Sequence, residues 1–385
     1  MAALRNYFYA LLGAILLLTF SCKEQNKPLE PSLEPTDSVV HHATGFNVVH
    51  YPNYTELEVL SPWPGAEKKY RYALVPKEKL ASITLPSDRF DAIVGTPVEK
   101  IVVTSTTHIA PIETLGELDA IVGFPHTDYI SSPNARKRIA DGHIKNLGMN
   151  ELLNTEMVLL LNPEMVVGFS ISEVNSAYDM IQRAGMPVVY NGDWAEQTPL
   201  GKAEWIKFFA PFFQKEQMAD SIFNKIEDSY NQAKALALKA KTKPTVFTGG
   251  LYKDVWYVAG GNSWMAQFLK DANADYLWGD TAETGSIGLG LESVLDKAQH
   301  ADYWFNPSSQ ISYDELAEVN AHHTQFDAFT TRKIYSNAIE KGATGGIVFY
   351  EMAPQRPDLV LKDFIAILHP ELLPNHTLHF IKPLN

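Results

Sequence analysis

Hydrophobic positions along this chain follow two spacings in turn. Between residues 97 and 193, short apolar runs (Ile101-Val102-Val103, Ile121 to Phe124, Met165 to Phe169, Val188 to Tyr190) are separated by stretches of helical spacing. Those stretches centre on Ile112 to Leu118, Thr155 to Leu161 and Val174 to Ala184. Short apolar runs bounded by turn residues predict buried strands, and their alternation with helices predicts a parallel sheet covered on both faces. The pattern resumes over 244–385. Strands are expected at Thr245 to Thr248, Val255 to Val258, Tyr276 to Trp278, Tyr303 to Phe305, Ile334-Tyr335 and Ile347 to Phe349, and helices at Trp264 to Ala272, Leu291 to Ala298 and Leu359 to Leu368. Between the halves, over 194–243, Trp205, Phe208, Phe209, Phe212 and Phe213 fall on one helical face and read as core. Pro211 predicts an end or kink there, and a second helical pattern runs through Ala219, Phe223, Ile226, Tyr230, Ala233 and Ala237. The expectation is α/β: two lobes of similar size joined by a long stiff helix, with a ligand cleft between them. The two halves echo each other, with Glu156 opening a helix before the Met165 strand and Glu292 opening one before the Tyr303 strand. Residues 44–96 read as short strands (Phe46 to Tyr51, Thr55 to Leu60, Tyr70 to Val75), a β-rich elaboration of the first lobe.

The first residues change the setting. Arg5 precedes an apolar run from Tyr7 to Phe20, then Ser21-Cys22, the layout of a secretory signal over residues 1–22. A cysteine just after a small residue resembles a bacterial lipobox, so Cys22 is the expected lipidation site. An ordinary signal peptide or an uncleaved anchor is the alternative. Residues 23–43, with Pro28, Pro31 and Pro35 and few large apolar side chains, read as a flexible tether.

Composition bounds the rest. At 385 residues, 45% hydrophobic and 20% charged, the chain is an ordinary globular one of two-domain size. A formal net charge of −13 argues against a nucleic-acid partner, which needs a basic surface. Beyond the N-terminus no apolar run is long enough to cross a bilayer.

In open α/β sheets ligands bind beyond the carboxyl ends of the strands. That rule nominates Thr107 and His108 after the first strand, His126 and Tyr129 after the second, Ser170 after the third and Trp194 after the fourth. From the second half come Tyr252, Trp256, Asn262, Ser263, Trp264 and Tyr350. The Gly260-Gly261-Asn262-Ser263 turn before a helix suits close backbone approach and an anionic group, or simply an N-cap by Ser263. The aromatic residues suit a large planar or chelated ligand.

The order and spacing of Ile101 to Gly123, Glu156 to Val167, Gly185 to Val189, Thr198 to Phe209, Gly260 to Ser263, Asp271 to Asp275, Gly285 to Leu295 and Arg356-Pro357-Asp358 resemble a known family. It is the helical-backbone, class III group of bacterial periplasmic binding proteins, which serves ABC importers of iron–siderophores, haem and cobalamin. The resemblance covers about residues 97–385, and its second half looks most like versions from Bacteroidetes-type bacteria. It implies two Rossmann-like lobes and an exported, lipid-anchored monomer with partners in an ABC permease and its ATPase. It also implies an iron chelate as favoured cargo, with cobalamin or haem as alternatives and no cofactor. Glu156 and Glu292 match the positions that dock on the permease; helix N-terminal glutamates stabilised by the macrodipole are the plain alternative.

Two other classes stay open. His108, His126 and a carboxylate could serve a metal-dependent hydrolase, although G-x-S-x-G, Walker, H-E-x-x-H and dinucleotide glycine motifs are missing. The cleft could also hold a partner protein. A bare zinc or manganese site would need a histidine-rich set that these residues do not assemble.

Overall fold

A computed structural model describes residues 37, 38, 40–86, 88–150 and 152–385. The signal peptide, Cys22 and the tether up to residue 36 lie outside the described residues.

Each lobe is built on a parallel sheet. In the first the strand order is Val188–Asn191, Met165–Phe169, Ile101–Val103, Ile121–Phe124 and Lys145–Asn146, every pair parallel. The chain therefore starts in the middle and winds outward both ways, which leaves a switch point beside Ile101–Val103 where loops diverge to open a crevice. In the second the order is Asp275–Tyr276, Thr245–Thr248, Tyr303–Phe305, Ile334–Ser336 and Lys382–Pro383, with only the last pair antiparallel. A three-stranded antiparallel sheet (Gly250–Tyr252, Val255–Ala259, Ser286–Leu289) is laid alongside it.

Residues 46–96 supply four strands of a further five-stranded sheet. It packs on the connector through Phe46, whose ring centroid is 4.5 Å from that of Trp205. It is tied to the first lobe where the Tyr190 N–H donates to the Tyr72 hydroxyl.

The connector comprises helices Pro199–Glu204, Ile206–Phe213 and Glu216–Ala237. The second helix runs through Pro211 and ends soon after, with Gln214 left-handed. Trp205, Phe208, Phe209 and Phe212 are core, as their spacing predicts. The 22-residue helix Glu216–Ala237, about 33 Å long, is shared. Its first half (Ala219, Phe223, Ile226) belongs to the first lobe's core and its second half (Tyr230, Ala233, Ala237) to the other's.

Two expectations fail here. The apolar run Ile347 to Phe349 is not a strand but the start of helix Val348–Met352, an ambiguity short apolar runs always carry. Residues 41–43, placed in the tether, are held down: the N–H groups of His41, His42 and Ala43 all donate to Glu204 at 2.6–3.1 Å.

Candidate functional site

A cleft lies between the lobes as two adjoining cavities of about 660 and 420 Å³ that share Ile347 and Tyr350 as a wall. On the first-lobe side the polar turn after Ile101–Val103 is locked from behind. Thr104 Oγ1 accepts the Phe169 N–H at 2.7 Å and meets the Tyr178 hydroxyl at 3.0 Å. This presents Thr104, Ser105 and Thr106 to the larger cavity. Thr107 is not among its lining residues; its hydroxyl pairs with Ser105 at 2.8 Å. His126 takes a left-handed conformation (φ 47°) and hydrogen-bonds through its N–H to Gly148, which holds its imidazole and the exposed Tyr129 ring on the cavity wall, 5.3 Å apart.

Across the gap, Ser263, Trp264, Tyr257, Phe349 and Tyr350 line the smaller cavity. Trp264 is braced by Phe349 (5.5 Å) and by the Lys202 ammonium, 5.1 Å from its ring.

Several nominated residues sit elsewhere. Trp256 is fully buried among Phe247, Trp304 and Phe326, its indole N–H donating to the Thr248 carbonyl, so it is core and reaches no cavity. His108 is also fully buried, against Phe209. Burial lowers its pKa to about 4, against the pull of Asp193 and Asn191, so the ring is neutral, and it lines neither cavity. That removes the His108–His126 pair a hydrolase would need. Ser170 is buried with its hydroxyl donating to Ser172. Trp194 stacks edge-on behind Phe169 (5.7 Å), supporting a lining residue without lining the cavity itself. Tyr252 is exposed on the hairpin beneath Lys253, and Asn262 spends its amide on the Ala282 carbonyl.

The glycine turn has a structural cause. A Cβ at Gly260 would lie 2.2 Å from the Glu283 carbonyl oxygen, and one at Gly261 2.4 Å from that of Thr281. The N–H groups of Gly260 and Gly261 donate to Gly285 and to the Thr281 hydroxyl. The turn thus packs against a neighbouring loop and has no donors left there for an anion, while Ser263 caps helix Trp264–Asp271 through the Ala266 N–H.

Sequence and structure comparisons decide the family. Residues 101–336, more than half of the chain, match the periplasmic binding protein family. The chain belongs to that family. Among curated proteins, an uncharacterised lipoprotein of Methanocaldococcus jannaschii is 25% identical over 376 residues, 90% of this chain and 86% of the relative. Among solved structures, a periplasmic haem-binding protein from Pseudomonas aeruginosa superposes with a TM-score of 0.56 at 17% identity, over 75% of this chain and 98% of that one. A possible iron-binding, periplasmic solute-binding protein from Staphylococcus epidermidis gives 0.55 at 18%, over 71% and 100%.

This periplasmic binding protein is therefore of the two-lobed class III fold, a solute-binding protein and not an enzyme; what its cleft holds is cargo rather than cofactor. Residues the strand-end rule did not nominate complete the cleft: Met149 and Asn150 from a loop, Tyr257, and the Gly345-Gly346-Ile347 segment. Tyr257 had a readable signal. On Val255–Ala259 side chains alternate, so with Trp256 inward its neighbour must face out.

Beside the cleft the lobes touch directly. Glu351, buried on the second lobe, accepts the N–H groups of Ser131 (2.5 Å) and Ser132 (2.8 Å) of the first. Gly346 allows the contact, since a Cβ there would sit 2.2 Å from the Tyr129 carbonyl oxygen. Burial pushes the Glu351 carboxyl up to about 7; the two N–H groups and Arg136 oppose this, and Glu113 adds to it. A raised acid pKa means the folded state favours the proton. The contribution is full below the ordinary value of 4.5 and is lost as pH climbs through about 7. Thermal unfolding from pH 5 to 8 should show wild type losing up to about 1.4 kcal/mol per pH unit in that window, and Glu351→Gln should flatten the slope. Parallel curves would refute the role of Glu351.

Proposed function

We propose that this protein captures an uncharged, bulky iron chelate of the ferric hydroxamate type and hands it to an ABC permease with its ATPase. The observation that carries the reading is the chemistry of the cleft. Among the described residues that line it there is no Lys, Arg, Asp or Glu; the walls are mostly aromatic, aliphatic, small-polar and glycine. A highly charged ligand would be stripped of water there without a counter-charge, which costs several kcal/mol, whereas a neutral chelate loses little and gains apolar contact. One lining histidine does not make a bare zinc or manganese site. Cobalamin, also bulky, follows as cargo. Haem is a separate second reading, favoured by the His126–Tyr129 pair, whose nitrogen and hydroxyl are donors for iron.

Under this proposal Glu156 and Glu292, exposed in the first turns of helices Thr155–Leu161 and Leu291–Ala298, meet the permease. The protein is a monomer, exported and lipid-anchored through Cys22; the lipoprotein relative supports the anchor.

Titration of tryptophan fluorescence tests the cargo, because Trp264 lines the cleft. Ferrichrome, a neutral ferric tris-hydroxamate, should quench saturably, with cyanocobalamin next. Saturation by haemin alone would replace the chelate reading with the haem one. Silence with all three would remove the chelate class.

A further inference from the structure

The C-terminal segment brings together three metal-ligating side chains that line neither cavity of the cleft. Asp363, on helix Pro357–Leu368, is fully buried. After the helix the chain turns back, and the N–H groups of His379, Phe380 and Ile381 all donate to Asp363 Oδ2, at 2.6–3.1 Å. The other oxygen, Oδ1, takes a shared bond from the His379 N–H and faces two imidazoles: His376 Nε2 at 2.7 Å and His379 Nδ1 at 3.8 Å. All three ligand atoms lie within 4.8 Å of one another.

A hydrogen bond accounts for His376 but not for His379, whose nitrogen lies 3.8 Å from the same oxygen, beyond hydrogen-bond reach. A tetrahedral ion with bonds of roughly 2.0–2.2 Å sets its donors about 3.3–3.5 Å apart. The His376 ring would need to retreat by about half an ångström or a little more and His379 to advance by somewhat less. The His379 ring, 43% exposed, has room for its part as a side-chain adjustment; the His376 ring is 10% exposed and has the tighter move to make. The three backbone donors fix the carboxylate so that Oδ1 points at the gap, the supporting role that outer-shell groups play in metal sites. Two imidazole nitrogens and one carboxylate suit a borderline divalent cation such as zinc far better than magnesium or calcium, which prefer all-oxygen sets.

We propose that Asp363, His376 and His379 form a structural site for Zn²⁺ or a like transition-metal cation, with a fourth position open to water. The ion would staple the C-terminal segment, which carries the sheet-edge strand Lys382–Pro383, to the helix beneath it. Binding to the folded form then adds to stability. The site is independent of the cargo reading.

The test uses the full chain, stripped with chelator and titrated with Zn²⁺ alone by calorimetry, and with Co²⁺ followed by its visible d–d absorption. One equivalent should bind, with a tetrahedral cobalt spectrum and a Tm that rises with zinc concentration. His379→Ala leaves the His376–Asp363 pair intact, so it should keep the metal-free Tm while losing at least the roughly 10–100-fold in affinity that even an outer-shell partner is worth. His376→Ala should lose as much metal affinity but also lower the metal-free Tm. No saturable zinc binding to wild type, or equal affinity in His379→Ala, overturns the proposal.

Discussion

Replacing Glu204 with alanine should destabilise the protein by about 3–5 kcal/mol, the range for breaking a buried, hydrogen-bonded charge. The carboxylate is fully buried at the end of helix Pro199–Glu204 and paired with Lys207 at 3.1 Å. It is also the acceptor for three consecutive backbone N–H groups, those of His41, His42 and Ala43. Alanine removes every acceptor at once, and each stranded donor costs about 1–3 kcal/mol where water cannot reach it. Glu196 repeats the device for Thr44 and Gly45, so two glutamates hold residues 41–45 against the connector. Burial alone would raise the Glu204 pKa. The Ala43, His42 and His41 N–H groups and Lys207 win, and hold it below the usual 4.5. A depressed acid pKa contributes stability that is present above about 4.5 and lost as pH falls through the folded value, so acid unfolding should begin in this region. Urea unfolding of Glu204→Ala and Glu204→Gln checks the argument: glutamine keeps an acceptor and should lose clearly less. A loss under about 1 kcal/mol for alanine, smaller than a single stranded donor would cost, would mean the contacts do not hold the segment.

Truncating Tyr350 to alanine should weaken cargo binding by about thirtyfold, the roughly 2 kcal/mol of a central aromatic contact. Tyr350 is half exposed and is one of two side chains on both cavities, so a ligand filling the cleft must touch it. Its exposure makes the cost to folding small. Tyr252→Ala is the control, a somewhat more exposed tyrosine that lines neither cavity. Tyr350→Phe separates ring from hydroxyl. Equal affinities for wild type and Tyr350→Ala, or equal losses in both alanine variants, would show that the cargo lies elsewhere.

Much of the fold is legible because parallel strands buried on both faces are continuous apolar runs. Ile101–Val103, Ile121–Phe124, Met165–Phe169 and Tyr303–Phe305 appear where such runs predict them. Strands made by pairing rather than by composition are not legible: Lys145–Asn146 and Lys382–Pro383 join sheet edges with no apolar signature. Legibility of the site divides in the same way. Strand-end logic reaches the wall that carries His126, Tyr129, Trp264 and Tyr350. It fails at Trp256, where strand periodicity turns the side chain inward, and at His108, one turn past the polar segment and directed at Phe209. Met149 and Gly345 enter the cleft through loops set by tertiary contact, which no local pattern encodes.

The lining of the cleft, uncharged among the described residues, also sets how the protein meets its cargo in time. A charged mouth gains capture rate from long-range attraction, an advantage that salt screens beyond about 8 Å at physiological ionic strength. Walls without fixed charge have no such advantage to lose, so the association rate should be nearly the same in dilute and saline media. Tight capture must then come from slow escape. Residence time in the cleft, rather than speed of encounter, becomes the quantity that the proposed permease would have to shorten.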